Sequence, residues 1–230
     1  THSKQNTQTK MKSISYILSF LFLSSTLSLV AFARSFTSEN PIFLPTTSYD
    51  DDNIVLPEVY DQNGDPLRIG ERYIIKNPLP GGGSVYWHKI GNVECPNAVL
   101  QHVSVPGFLG EGTPVMFVRK SDYGDVVRVM TVVHIKFFVE TTRFCAKEAV
   151  WKVNDEGLVV TGGNVGNEND IFKIMQTDSV IPGRKNVYKL LHCPSHLGCK
   201  NIGGNFKNGY PHLTTVDYDK DFIPFVFIKV

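Results

Sequence analysis

The side chains best placed for chemistry in this 230-residue chain lie in Leu191-His192-Cys193-Pro194-Ser195-His196-Leu197-Gly198-Cys199, followed by Lys200. Two thiols with two imidazoles beside them could bind a metal tetrahedrally, or the thiols could close a small loop as a disulfide. Two further thiols, Cys95 and Cys145, make the count of four even, and four cysteines allow three pairings. Spacing favours Cys193 with Cys199, leaving Cys95 with Cys145. Metal ligation needs reduced thiols, which an oxidising compartment disfavours. The leader described below directs the chain to such a compartment, so neither a metal nor a cofactor is expected.

A second stretch, Gly112 to Asp125, carries a different kind of chemistry. Pro114 fixes its own φ and cannot donate a ladder hydrogen bond. Val115, Met116 and Phe117 follow as an apolar run. The segment reads either as a buried strand or as an extended peptide offered to a partner that reads side chains one by one, as a protease does. Bases are plentiful at His88, His102, His134 and His212, yet the sequence has no HExxH, GxSxG or phosphate-loop pattern. With both bridges formed no cysteine would remain as a nucleophile. No enzymatic activity is expected.

The elements that must position these residues begin after a leader. Residues 1–10 read as an extension ahead of Met11. Residues 11–33 read as a secretory signal: Lys12, an apolar run over 14–32, and the small-residue exit Ala31-Phe32-Ala33. Residues 34–53 are polar and Pro-rich with an acidic run at Asp50 to Asp52, the composition of a processed linker. The remaining 54–230 suit one domain with a sizeable core, and no later run is long enough to span a bilayer. The formal net charge is +1 and no basic stripe interleaves with aromatics, so nucleic acid is not an expected partner. No N-x-Ser/Thr acceptor is present.

Helical periodicity is nearly absent from 54–230. Short β-branched and aromatic runs alternate with turn signals such as Asn63-Gly64-Asp65-Pro66 and Asn208-Gly209-Tyr210-Pro211. The pattern predicts an all-β domain of about twelve strands, a number better suited to a closed barrel or trefoil than to a seven-stranded sandwich. The strands are expected near 72–75, 85–90, 99–103, 115–118, 126–133, 135–139, 150–153, 158–161, 171–175, 187–192, 213–216 and 225–229. No internal repeat is evident.

The segment Val59-Tyr60-Asp61-Gln62-Asn63-Gly64-Asp65-Pro66-Leu67, with Tyr73-Ile74-Ile75 after it, resembles the signature of the plant Kunitz-type, soybean trypsin inhibitor-like family. Trp151 after Cys145, Cys199-Lys200-Asn201-Ile202-Gly203 and the closing Pro224 to Lys229 extend the resemblance over nearly all of 54–230. It implies a β-trefoil with two disulfides, first cysteine to second and third to fourth, in a monomer that inhibits proteases. The chain looks most like the potato branch that inhibits papain-like cysteine proteases, and Asn40-Pro41-Ile42-Phe43-Leu44-Pro45 resembles a vacuolar sorting determinant read by a receptor. The vacuole is therefore the expected destination, and defence or control of proteolysis the expected role.

Serine-protease inhibitors of this family carry their bait between the fourth and fifth strands. Pro114-Val115-Met116-Phe117 matches its order and puts Met116 at the specificity position, suited to a chymotrypsin- or subtilisin-like pocket and not to trypsin. Ile69 stands where the founding member has an Asn that supports the bait. The alternative contacts are Pro80 to Ser84, or the loop of Pro194, Ser195, His196, Leu197 and Gly198 with Lys200. A storage or sugar-binding trefoil is the remaining alternative.

Overall fold

The computed structural model describes residues 55–103, 110–120, 124–140, 143–177, 182–195, 197–217, 219 and 221–230. The chain divides into two units, Thr1–Asn53 and Ile54–Val230. Segments 1–10, 11–33 and 34–53, with Asn40 to Pro45, lie outside the described residues, as does His196. No helix among the described residues is long and apolar enough to cross a membrane.

Twelve strands run through the second unit: β1 (Arg72–Lys76), β2 (Gly82–His88), β3 (Ala98–Val103), β4 (Val115–Val118), β5 (His134–Phe137), β6 (Trp151–Val153), β7 (Val159–Thr161), β8 (Phe172–Gln176), β9 (Tyr188–His192), β10 (Lys200–Lys207), β11 (Tyr210–Val216) and β12 (Val226–Lys229). Alternation decides which face of each strand is buried. In β4, Val115 and Phe117 are fully enclosed while Met116 and Val118 are half-buried.

Six strands close a barrel. β12 pairs with β1, β1 with β4, β4 with β5, and β8 with β9, all antiparallel. Two short bridges, Val133–Phe172 and Tyr188–Phe225, complete the ring. The other six strands form the hairpins β2–β3, β6–β7 and β10–β11. Ala98–Val160, Leu100–His212 and Leu158–Thr214 join these hairpins in a triangle. Barrel meets hairpin at three corresponding places: Lys76–Ser84, Lys136–Val150 and Lys200–His192. The chain thus folds as a β-trefoil, repeating a four-strand unit three times without repeating its sequence.

The expected strand over 126–133 does not form. Val126 and Arg128 make single bridges to Arg68 and Glu58, and Met130 turns the chain at φ 59°. An apolar run alone cannot distinguish a strand from a segment pinned at successive points. Conversely, β10 was outside the expectation because Asn and Gly disfavour strands. A Cβ on Gly203 would lie 2.4 Å from the Asp221 carbonyl oxygen, so close backbone approach requires glycine there. A one-turn helix, α1 (Arg143–Lys147), carries Cys145 and was also not anticipated.

Aromatic rings fill the interior. Phe117 meets Phe227 edge-on at 5.4 Å, and Tyr188 lies 5.6 Å from Phe227. Trp151, fully buried, stands 5.4 Å from Phe137 and 6.0 Å from Phe172. Two core tyrosines fasten the N-terminal segment: the Tyr188 hydroxyl accepts the Tyr60 amide at 2.9 Å, and the Tyr73 hydroxyl accepts the Arg68 amide at 2.8 Å. Burial pushes the Tyr73 phenol up to about 12.

The bridges are Cys95–Cys145 and Cys193–Cys199, with sequence separations of 50 and 6. Loop closure in the unfolded chain makes the long bridge worth about 4 kcal/mol and the short one about 2 kcal/mol. Replacing Cys95 and Cys145 by Ser should therefore lower stability in urea melts clearly more than replacing Cys193 and Cys199. Equal losses would contradict the loop-length account.

Candidate functional site

Pro114, Val115, Met116 and Phe117 are not a presented loop. The last three form β4, and Met116 has a ladder partner on each side, Arg72 of β1 and Lys136 of β5. A backbone already paired on both edges has no main-chain groups to offer a protease. The proposed bait at Met116 is corrected on that ground: Val115 and Phe117 are core, and Met116 lies in the barrel wall. The connection between the fourth and fifth strands is 119–133, downstream of the expected position.

The described part of that connection nearest β5, 124–133, is tied to 67–69 by main-chain bonds. The Ile69 amide donates to the Asp125 carbonyl at 2.7 Å, and the Val127 amide donates to Leu67 at 2.8 Å. The Ile69 side chain packs against the core. The side-chain amide expected from the family pattern is absent, yet the peptide group of the same residue holds Asp125.

The Cys193–Cys199 loop is closed by its disulfide, and most of its described residues are exposed. Its stems pair at Lys200–His192 and Asn201–Leu191, and the Leu197 amide donates to Pro194 at 3.1 Å to close a turn. Cys193 is buried and Pro194 half-buried, while Ser195, Gly198 and Lys200 are exposed. Leu197 is 71% exposed at the tip, an apolar side chain in solvent beside a cross-link. Lys200 pairs with Asp217 at 2.8 Å. Both thiols near His192 are consumed by the bridge, which removes the metal reading of this cluster.

Pro80 to Ser84 divides in two. Pro80 and Gly81 are exposed at a turn, where the Gly82 amide donates to Leu79 at 2.9 Å, while Gly83 and Ser84 are buried in β2. The turn borders a groove of about 400 Å³ whose rim includes Phe206, 67% exposed, and Val103, 52% exposed. Neither residue stood out in the sequence: Val103 ends an expected strand, and Phe206 lies in β10, which the sequence pattern did not predict.

The disulfide loop stands on the 162–171 connection between β7 and β8. The Cys193 amide donates to Ile171 at 3.0 Å, and His192 Nε2–H donates to the Asn169 carbonyl at 2.7 Å. His134, at the start of β5, donates from Nδ1 to the adjacent Asp170 carbonyl at 3.0 Å. Its Nε2 accepts the Gly166 amide at 3.0 Å. Burial lowers the proton affinity of both imidazoles, opposed by the Asn169 and Asp170 carbonyls respectively and by the Asp170 charge. A lone His between Val133 and Ile135 gives no sequence signal of this role.

A closed trefoil with cross-linked, firmly footed loops is a scaffold for presenting short segments to another protein. Residues 59–229 match the family Kunitz_legume, described as trypsin and protease inhibitor, and the chain belongs to that family of inhibitors, not to an enzyme family. It is 81% identical over 222 residues to "Cysteine protease inhibitor 1" of Solanum tuberosum, covering 95% of this chain and 100% of the relative. It is 78% identical over 215 residues to "Cysteine protease inhibitor 8" of Solanum tuberosum, covering 93% and 97%. Among solved structures, the Kunitz-type cysteine protease inhibitor PCPI-3 from potato superposes with a TM-score of 0.63 at 34% identity, covering 76% of this chain and 98% of that one.

Met116 lies between the cations Arg72 and Lys136 on neighbouring strands. Met116→Arg should cost about 1 kcal/mol through like-charge crowding, and Met116→Glu should cost less. Neither variant should inhibit trypsin. Tight trypsin inhibition by Met116→Arg would show that this strand leaves the barrel.

Proposed function

We propose that the chain inhibits papain-like cysteine proteases, with the Cys193–Cys199 loop as its main contact. The observation that carries the reading is 81% identity, spanning the whole of a potato relative named as a cysteine protease inhibitor. The cleft of a papain-like enzyme can be blocked by a loop that is not threaded as a substrate. A cross-linked loop loses little conformational freedom on docking, so more of its contact energy appears as affinity. Leu197 supplies the apolar anchor, and burying such a side chain is worth about 1.5–3 kcal/mol. The protein acts as a monomer, since one loop suffices to fill one cleft.

Titration of papain, subtilisin, chymotrypsin and trypsin with the chain tests the class. Papain inhibition is expected; inhibition of subtilisin alone would sink the reading. Leu197→Asp should raise the papain inhibition constant about 30-fold, equivalent to about 2 kcal/mol, with the thermal melt unchanged. An unchanged constant would move the contact to another loop while leaving the class intact.

Delivery to the vacuole through a sorting receptor belongs to the same proposal, and rests on the apolar, Pro-bounded hexapeptide Asn40 to Pro45. Replacing Ile42 and Leu44 by Gly should divert a tagged chain to the cell exterior. Continued vacuolar delivery would place the address elsewhere.

A further inference from the structure

The 162–171 connection is fastened in a way that ordinary loops are not. Its carbonyls at Asn169 and Asp170 accept from two buried imidazoles, and its Gly166 amide donates into a third ring nitrogen. Asp170, itself buried, gathers the near end, its Oδ2 accepting the Asn164 amide and the Asn167 side chain, each at 2.9 Å. The two histidines differ in what a proton would do. His192 uses a single nitrogen as a donor, and that bond survives protonation. His134 uses both nitrogens, one as donor and one as acceptor, an arrangement available only to the neutral ring. A proton on Nε2 would face the Gly166 N–H, and the two donors could not share the space.

We propose that His134 is an acid-operated latch on this connection: the neutral ring holds Gly166 against β5, and the protonated ring releases it and loosens the footing of Cys193. The surroundings permit release. A cavity of about 230 Å³ already lies between the connection and the end of β4. It is lined by His134 with Arg119 and Lys120 from β4's exit and Glu168 from the connection. Asp170 also faces the ring, and Lys136 follows two residues along β5. Gly166 sits at φ +93°, where a Cβ would lie 2.9 Å from the Lys120 side chain, and its amide is held by His134.

The sign follows from linkage. Burial lowers the folded-state proton affinity of His134 below the ordinary histidine value of 6.5. Its contribution is full above that value and is lost as pH falls through the folded-state one. Between the two values the opened state holds one more proton than the closed one, so the opening equilibrium rises as pH falls, by at most about tenfold per pH unit.

Hydrogen exchange of the full chain tests this, with each amide corrected for its intrinsic pH dependence. Protection at Gly166 should fall as pH drops below about 6.5, by up to about tenfold per pH unit until the folded-state value is passed, with Cys193 following and the core amide of Phe117 falling less. Flat protection at Gly166, or equal loss at Phe117, would overturn the latch. His134→Asn retains a donor toward Asp170 but cannot titrate. Protection at Gly166 should then be low at every pH with no slope, and a persisting slope would assign the proton elsewhere. If that variant does not fold, the nitrogen shifts of His134 in the wild type decide. The Nδ1–H tautomer at neutral pH is expected, and the Nε2–H tautomer would refute the proposal.

Discussion

Closure of the barrel is the constraint on which the rest of the structure depends. Two seams have no continuous ladder and are centred on reciprocal bonds of isolated residue pairs. Val133 and Phe172 exchange amide bonds at 3.0 and 2.9 Å, and Tyr188 and Phe225 do so at 2.9 and 2.7 Å. Phe172, Tyr188 and Phe225 are also among the largest buried side chains. The same residues therefore supply the hydrogen bonds that remove the sheet edges and the rings that fill the interior. A sheet without edges offers no template for unwanted strand addition. Loops at its ends are then free to differ in sequence without exposing the barrel.

Polar groups inside this frame serve mostly as ties to main chain. Asp61, almost wholly buried, accepts the Asn63 and Asp65 amides at 2.8 and 2.9 Å and so shapes the turn after Val59. Tyr73 and Tyr188 reach outward from the core to the backbone of the same segment. Trp87 Nε1–H donates to Thr161 at 3.1 Å, and that hydroxyl donates to Pro96 at 3.1 Å, joining two hairpins. Such bonds add modest net stability but cost more when broken, because the partner is left buried and unpaired. This asymmetry keeps each connection in one conformation.

Much of this was legible in the sequence, and the failures have physical causes. Alternation marked β1 and β4 because their buried residues recur at every second position. The cysteine spacing and the turn at Asn63-Gly64 were local features that survive folding unchanged. The segment 126–133 was misread because its valines bind three different neighbours in place of one ladder. β10 was missed because its glycines answer to residues well downstream, Gly203 to Asp221 and Val216 and Gly204 to Ile223. Placing a bait at Met116 failed for a related reason: the order Pro, apolar, apolar is shared by a presented loop and a barrel strand. The support given by the Ile69 peptide group was invisible, since main-chain bonds leave no trace in residue type.

The pairing of β1 with β12 bears on when the molecule can form. Tyr73 pairs with Lys229 and Lys76 with Val226, so the first strand of the barrel completes its ladder only with the last. Contacts this distant in sequence close slowly, because the intervening chain must first surrender its freedom. On a ribosome, where residues emerge at about 5–20 per second, an N-terminal half would wait with its apolar faces uncovered. Sealing becomes a single late event that follows synthesis. Until then the emerging chain depends on its surroundings, including chaperones, to keep β1 from finding another partner.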